Sequence, residues 1–203
     1  MGDIALAGAT SGSITLTPTA VAGSNTLTLP AATGTILTTA SSGQIIPRAA
    51  LPTGSVLQVV STTKTDTFST TSTSYTDVTG LSVTLTPTSS SSKFLIYFFL
   101  CAGNQNLFTA QIVRNSTAIA IGDASGSRTQ ATVGTMSNSD ANMQTANSFG
   151  HLDSPATASA ITYKVQVRTE SGATNYINRG INDNNNASGA RTASSIIVME
   201  IAA

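Results

Sequence analysis

Few residues in this chain are equipped for chemistry. His151 is the sole histidine and Cys101 the sole cysteine, and the carboxylates are seven Asp plus Glu170 and Glu200. A serine nucleophile needs a histidine to take its proton and a carboxylate to orient the imidazole, so any such triad would have to use His151. The nucleophile elbow Gly-x-Ser-x-Gly does not occur. In Gly8-Ala-Thr-Ser-Gly12 and Gly122-Asp-Ala-Ser-Gly126 the serine falls one place late, and Ser-Gly pairs in so serine-rich a chain read as turns. Zinc takes three or four Cys/His-type ligands, and two such residues exist. Calcium takes clustered carboxylates and carbonyls. Asp153, or Asp183 within the run Asn182–Asn186, could serve one ion, but no EF-hand loop is present and a solvated turn explains the run as well. A glycosidase pair of carboxylates is available by number, yet no spacing selects one, and Glu200, on an apolar terminal strand, is expected to pair with a basic neighbour. Asn115-Ser-Thr117 and Asn186-Ala-Ser188 match the glycosylation triplet, as chance predicts at this composition. Sugar stacking wants exposed Trp or Tyr. Trp is absent, which leaves Tyr75 and Tyr176, both near turns. The expectation is a protein that is not an enzyme and carries no cofactor and no resident metal.

The composition says what kind of framework holds these residues. Of 203 residues, 34 are Thr and 27 Ser, while only 9% are charged, against about 25% in an ordinary soluble domain. Nine basic residues balance nine acidic ones, so there is no electrostatic footprint for nucleic acid. Disorder wants high net charge and few aliphatics, and a helical bundle wants Glu, Lys and Ala-rich periodicity; neither fits. Thr, Val and Ile suit strands, and Ser, Asn and Gly suit turns. A chain with no net charge has little self-repulsion to keep it apart, which favours life inside an assembly. The N-terminus lacks the pattern of a signal peptide. The most apolar run, Phe94–Ala102, is far short of the ~20 residues of a spanning helix, so no membrane insertion is expected. Cys101, inside that run, reads as a small buried core residue.

The chain divides by pattern. Residues 1–46 hold no charge after Asp3 and read as short strands with period-2 alternation: Ser13–Pro18, Asn25–Pro30 and Gly34–Thr38. Strands of about five residues cannot bury an apolar face alone, so this arm needs a partner surface, met through Ile14, Leu16, Leu27, Leu29 and Ile36. Residues 47–54, with Pro47 and Pro52, read as a linker. Residues 55–203 give about ten strand candidates: Ser55–Thr63, Thr67–Val78, Leu81–Leu85, Phe94–Ala102, Leu107–Val113, Ala118–Ile121, Gln130–Met136, Asn142–His151, Ile161–Thr169 and Ser195–Ile201. Their spacing, with no helical stretch, indicates an all-β sandwich or jelly roll. Ile161–Arg168 alternates without a fault. Phe94–Ala102 is apolar on both faces, so the core can cover one and a sister subunit is the simplest cover for the other.

Ser11-Gly-Ser-Ile-Thr-Leu-Thr-Pro18 and Asn25-Thr-Leu-Thr-Leu-Pro-Ala-Ala-Thr-Gly-Thr-Ile-Leu37 resemble a Thr-rich repeat at the start of virion proteins of tailed bacteriophages. Gly54–Val60 with the hairpin to Val78 resembles the opening of their C-terminal domain, and Ser195–Ile201 its closing strand. The resemblance implies a homotrimer of jelly-roll knobs of the tumour-necrosis-factor-like kind, with aromatic strands near the threefold axis. Phe94, Ile96, Phe98 and Phe99 are the interface residues expected on that basis. It implies a place in the virion as a capsid decoration (cement) protein held by its arm to the major capsid protein. The alternative is a short tail fibre or fibre tip, joined to a tail adaptor and binding a host surface glycan through Tyr75 and Tyr176. A glycan-degrading enzyme is the remote alternative.

Overall fold

The computed structural model describes residues 4–7, 13–16, 51–104, 106–135 and 140–203. The chain separates into two units, Met1–Ile45 and Ile46–Ala203. In the first, β1 (Ile4–Ala7) and β2 (Ser13–Leu16) pair antiparallel, Ile4 opposite Leu16 and Ala7 opposite Ser13. The strand candidates Asn25–Pro30 and Gly34–Thr38, and with them Leu27, Leu29 and Ile36, lie outside the described residues; so do the side chains of Ile14 and Leu16.

The second unit is a β-sandwich. Its eight principal strands are β3 (Val56–Lys64), β5 (Thr76–Leu85), β6 (Lys93–Asn104), β7 (Phe108–Arg114), β8 (Thr117–Ile119), β10 (Thr145–Asp153), β11 (Ile161–Thr169) and β13 (Ser194–Ile201). Short β4 (Phe68–Thr70), β9 (Val133–Thr135) and β12 (Asn175–Ile177) extend the sheets. Taken in chain order, the principal strands pair first with last, second with seventh, third with sixth and fourth with fifth, all antiparallel. Alternate pairs fall in opposite sheets. One sheet runs β3-β13-β6 with β10 on the far side of β6, and the other runs β5-β11-β7-β8. A long hairpin rolled up in this way is the jelly roll.

Alternation decides which side chains meet between the sheets. Phe94, Ile96, Phe98 and Leu100 of β6 face Ile161, Tyr163, Val165 and Val167 of β11 and Leu81, Val83 and Leu85 of β5 across one core, all of them buried. Ile196 and Val198 of β13 join it. Phe94 and Tyr163 rings meet at 6.0 Å, tilted by 41°.

Local chemistry sets the boundaries. The hairpin β7–β8 turns through Asn115-Ser116, with Arg114 opposite Thr117. Asn115 takes a φ of 55°, which Asn tolerates better than most residues, and its Oδ1 accepts a bond from the Thr162 amide at 2.9 Å. The first glycosylation triplet is therefore a pinned turn. In β5 the register against β11 slips between Lys164 and Gln166, and Gly80 at φ 81° gives the bulge a backbone that other residues would strain to adopt. The expected strand Thr67–Val78 breaks in two because Thr70 and Ser72 hydroxyls accept bonds from the Ser72 and Ser74 amides, replacing ladder bonds by local turns. Ala118–Ile121 is cut short at Ala120, whose φ is 52°. Asn142–His151 is displaced to Thr145–Asp153, and Gln130–Met136 reduces to Val133–Thr135.

Candidate assembly interface

Three buried polar side chains, Asp153, Glu200 and Asn178, fasten strands and loops of the sandwich. Asp153, on β10, receives Arg114 Nη1 at 2.8 and 2.9 Å and the Tyr163 hydroxyl at 2.7 Å, so one carboxylate ties the first sheet to β7 and β11 of the second. Burial, and then the Asp153 carboxylate it faces, push the Tyr163 phenol far above its ordinary range. Glu200 does not pair with a basic neighbour as expected. It points inward from β13, fully buried, and accepts bonds from Gln58 Nε2, the Thr88 amide and the Thr88 hydroxyl. Burial alone would raise its carboxyl, but these hydrogen bonds outweigh that and hold it below the usual value. Asn178 donates to the carbonyls of Lys64 and Asp66 and accepts from Ser194. These groups are structural staples, and each is fully engaged by protein partners.

The two outer faces differ sharply in chemistry. On the β5-β11-β7 sheet the outward side chains form a polar lattice. Lys164 Nζ sits 2.8 Å from Asp77, Gln166 donates to Asp77 at 2.7 Å, Gln111 donates to Gln166 at 2.8 Å, and the Thr84 and Thr162 hydroxyls meet at 2.8 Å. The other sheet is apolar outside. Its register aligns Val59, Met199, Leu95 and Leu152 in one row across β3, β13, β6 and β10. The next row is Ser61, Ile197, Tyr97 and Gly150, and the third is Thr63, Ser195, Phe99 and Ser148. Val59, Leu152, Tyr97 and Phe99 remain 57%, 51%, 48% and 42% exposed. Gly150 lets Tyr97 lie across β10, since a Cβ there would come within 2.6 Å of the ring. Contiguous apolar surface of this kind marks an interaction site.

The four interface residues expected from the sequence fall on opposite faces. Phe94, Ile96 and Phe98 belong to the sandwich core and are unavailable to a partner subunit. A strand sends alternate side chains to opposite faces, and even-numbered β6 residues point inward. Phe99 is outside, beside Tyr97, which the sequence reading passed over along with Leu95, Val59, Met199 and Leu152. The doubly apolar β6 run was the signal, and pairing it with the even-numbered core residues would have picked out Tyr97.

Of the two tyrosines expected to touch sugar, Tyr75 donates its hydroxyl to the Gln130 carbonyl at 2.8 Å and holds down the loop after β8. Tyr176 lies under the Arg179 guanidinium, 3.9 Å from its ring centroid. Cys101 is buried, as expected. His151 stands on edge strand β10, opposite Ile96. In the Asn182–Asn186 run, Asp183 is bound by Arg179 and Arg191, and Asn186 caps Ser188 of its own loop, so the second glycosylation triplet is also a local turn. Among the described residues no group of three or more His, Cys, Asp or Glu side chains comes together to hold a metal ion, and no helix is long and apolar enough to cross a membrane.

No known family's profile matches this chain, and no curated protein does. Among solved structures it is similar to a chain from the structure of infectious bursal disease virus, Gx strain, at 14% identity and a TM-score of 0.35 over 72% of this chain. The alignment takes in 37% of that longer chain, so the present protein spans little more than a third of its length.

Proposed function

We propose that this protein is a non-enzymatic structural subunit of a tailed-phage virion, a capsid decoration protein whose jelly-roll knobs associate as a homotrimer. The observation that carries the reading is the apolar outer face of the β3-β13-β6-β10 sheet. Burying a Val, Leu, Met or Phe side chain contributes about 1.5–3 kcal/mol when complete, and the residues on this face are about half buried within the subunit. Association of copies through it would supply the remainder several times over. The segment 1–46, without charge after Asp3 and with β1 and β2 paired antiparallel, serves as the arm that adds strands or apolar contacts to the major capsid protein. The sequence resemblance to phage virion proteins supports this assignment. A short tail fibre or fibre tip is the second reading, favoured by the half-buried Tyr176 and Arg179 stacked beside the exposed Arg191.

Gold-labelled antibody against the knob, applied to intact virions, tests the location. Label scattered over the head is the expected result. Label restricted to the tail would replace decoration with the fibre reading.

A further inference from the structure

We propose that Asn175 and Thr169 bind a buried water molecule that closes one end of the sandwich core. The inner face of each sheet ends there in polar residues. On one sheet, Ile177 of β12 stands opposite Ala102 of β6 and Phe68 of β4, and all three belong to the core or pack on it. Two residues along, on the same face, Asn175 stands opposite Asn104 and Thr70. On the other sheet the inward series Ile161, Tyr163, Val165 and Val167 finishes at Thr169. The two ends are tied together. The Thr169 amide donates to the Ser72 carbonyl at 2.9 Å, and the Ser72 amide donates to the Thr70 hydroxyl at 3.0 Å.

Asn175 is 1% exposed and Thr169 is not exposed at all. Asn175 Oδ1, Asn175 Nδ2 and Thr169 Oγ1 are shut off from solvent, and none of the three has a hydrogen-bond partner among the described residues. The neighbouring Asn104 amide is anchored, its Nδ2 donating to the Asn106 carbonyl at 2.7 Å. An amide buried with neither end bonded is unfavourable. Folded proteins relieve such groups with ordered water, which makes about three hydrogen bonds to them. The chemistry selects water over an ion. A cation would face the protons on Nδ2, and an anion the lone pairs of Oδ1, whereas water donates to one and accepts from the other. Held there, the water links the 71–75 and 170–174 connections across the end of the core. The second of these is also tied to the start of β7, through the Glu170 amide and the Leu107 carbonyl at 3.3 Å.

The test is a high-resolution crystal structure of the full chain, followed by thermal melts of two variants. A water within about 3 Å of an Asn175 amide atom and of Thr169 Oγ1 is expected in every copy. Asn175→Leu should lower the melting temperature, because the Thr169 hydroxyl and the water lose a partner. Adding Thr169→Val should recover part of that loss, since no polar group is then left behind. Side chains that only fill space predict that the two losses add. A dry site in the wild-type crystal, an Asn175 amide paired wholly with protein atoms, or additive losses in the double variant would each overturn the assignment.

Discussion

At the scale of single residues, the carboxylates that looked available for catalysis have become fasteners. Asp153 shows what such a fastener is worth. Replacing it by Ala leaves the Tyr163 hydroxyl and the Arg114 guanidinium without their shared acceptor between the sheets. Removing one partner of a buried pair costs about 3–5 kcal/mol, and Arg114 keeps some contact with solvent, so a loss near ~3 kcal/mol is expected in urea denaturation. Glu200 makes a prediction in pH. Its folded carboxyl titrates below the ordinary value of 4.5, so its stabilising contribution is complete above that value and is lost as pH falls through the lower folded one. Thermal melts of the wild-type chain should therefore drop below about pH 4.5 more steeply than those of Glu200→Gln, which starts from lower stability at neutral pH. The sequence marked Glu200 as unusual by its apolar neighbours, but named the wrong partner. The Thr88 amide that binds it lies 112 positions away in the chain, and no local pattern reports a contact of that range.

At the scale of elements, β6 carries most of the argument. Its alternation was legible in the sequence, as was that of β11, because period 2 is written directly in residue type. Which of the two apolar faces of β6 turned inward was not legible, since both Phe94-Ile96-Phe98 and Leu95-Tyr97-Phe99 would serve as core. The choice is made by register against β13 and β10, a tertiary fact. Strands such as β12, three residues with a polar start, are too short to show a period at all. The two faces should respond differently to mutation. Phe98→Ala opens a cavity in the core and costs about 3–5 kcal/mol, read as a lower denaturation midpoint. Tyr97→Asp and Phe99→Asp place charge where water already reaches in the single subunit, so each should keep its fold by circular dichroism and lose only its association, read by light scattering. Folded variants of both that still associate at wild-type size would remove this face from the interface.

At the scale of the whole molecule, the subunit is a jelly roll with one polar outer face and one apolar one, joined to an arm unit without charge beyond Asp3. The jelly roll could be anticipated from strand spacing, but the arm's role rests on composition alone. Light scattering of the purified chain should give three times 20.5 kDa. Deleting residues 1–46 should leave a knob of undiminished stability that no longer binds particles, checked by co-sedimentation with virions. Undiminished co-sedimentation would place the anchor in the knob instead. The pairing of the first knob strand with the last has a practical consequence. Gly54 donates to the Ala202 carbonyl at 2.8 Å and Ala202 to the Ser55 carbonyl at 2.9 Å, so the chain enters and leaves the sandwich at one corner. The knob is thus a natural candidate for circular permutation. A short linker could join 203 to 55 in the isolated knob, with new ends opened in the exposed 123–128 loop, where a cargo could be displayed.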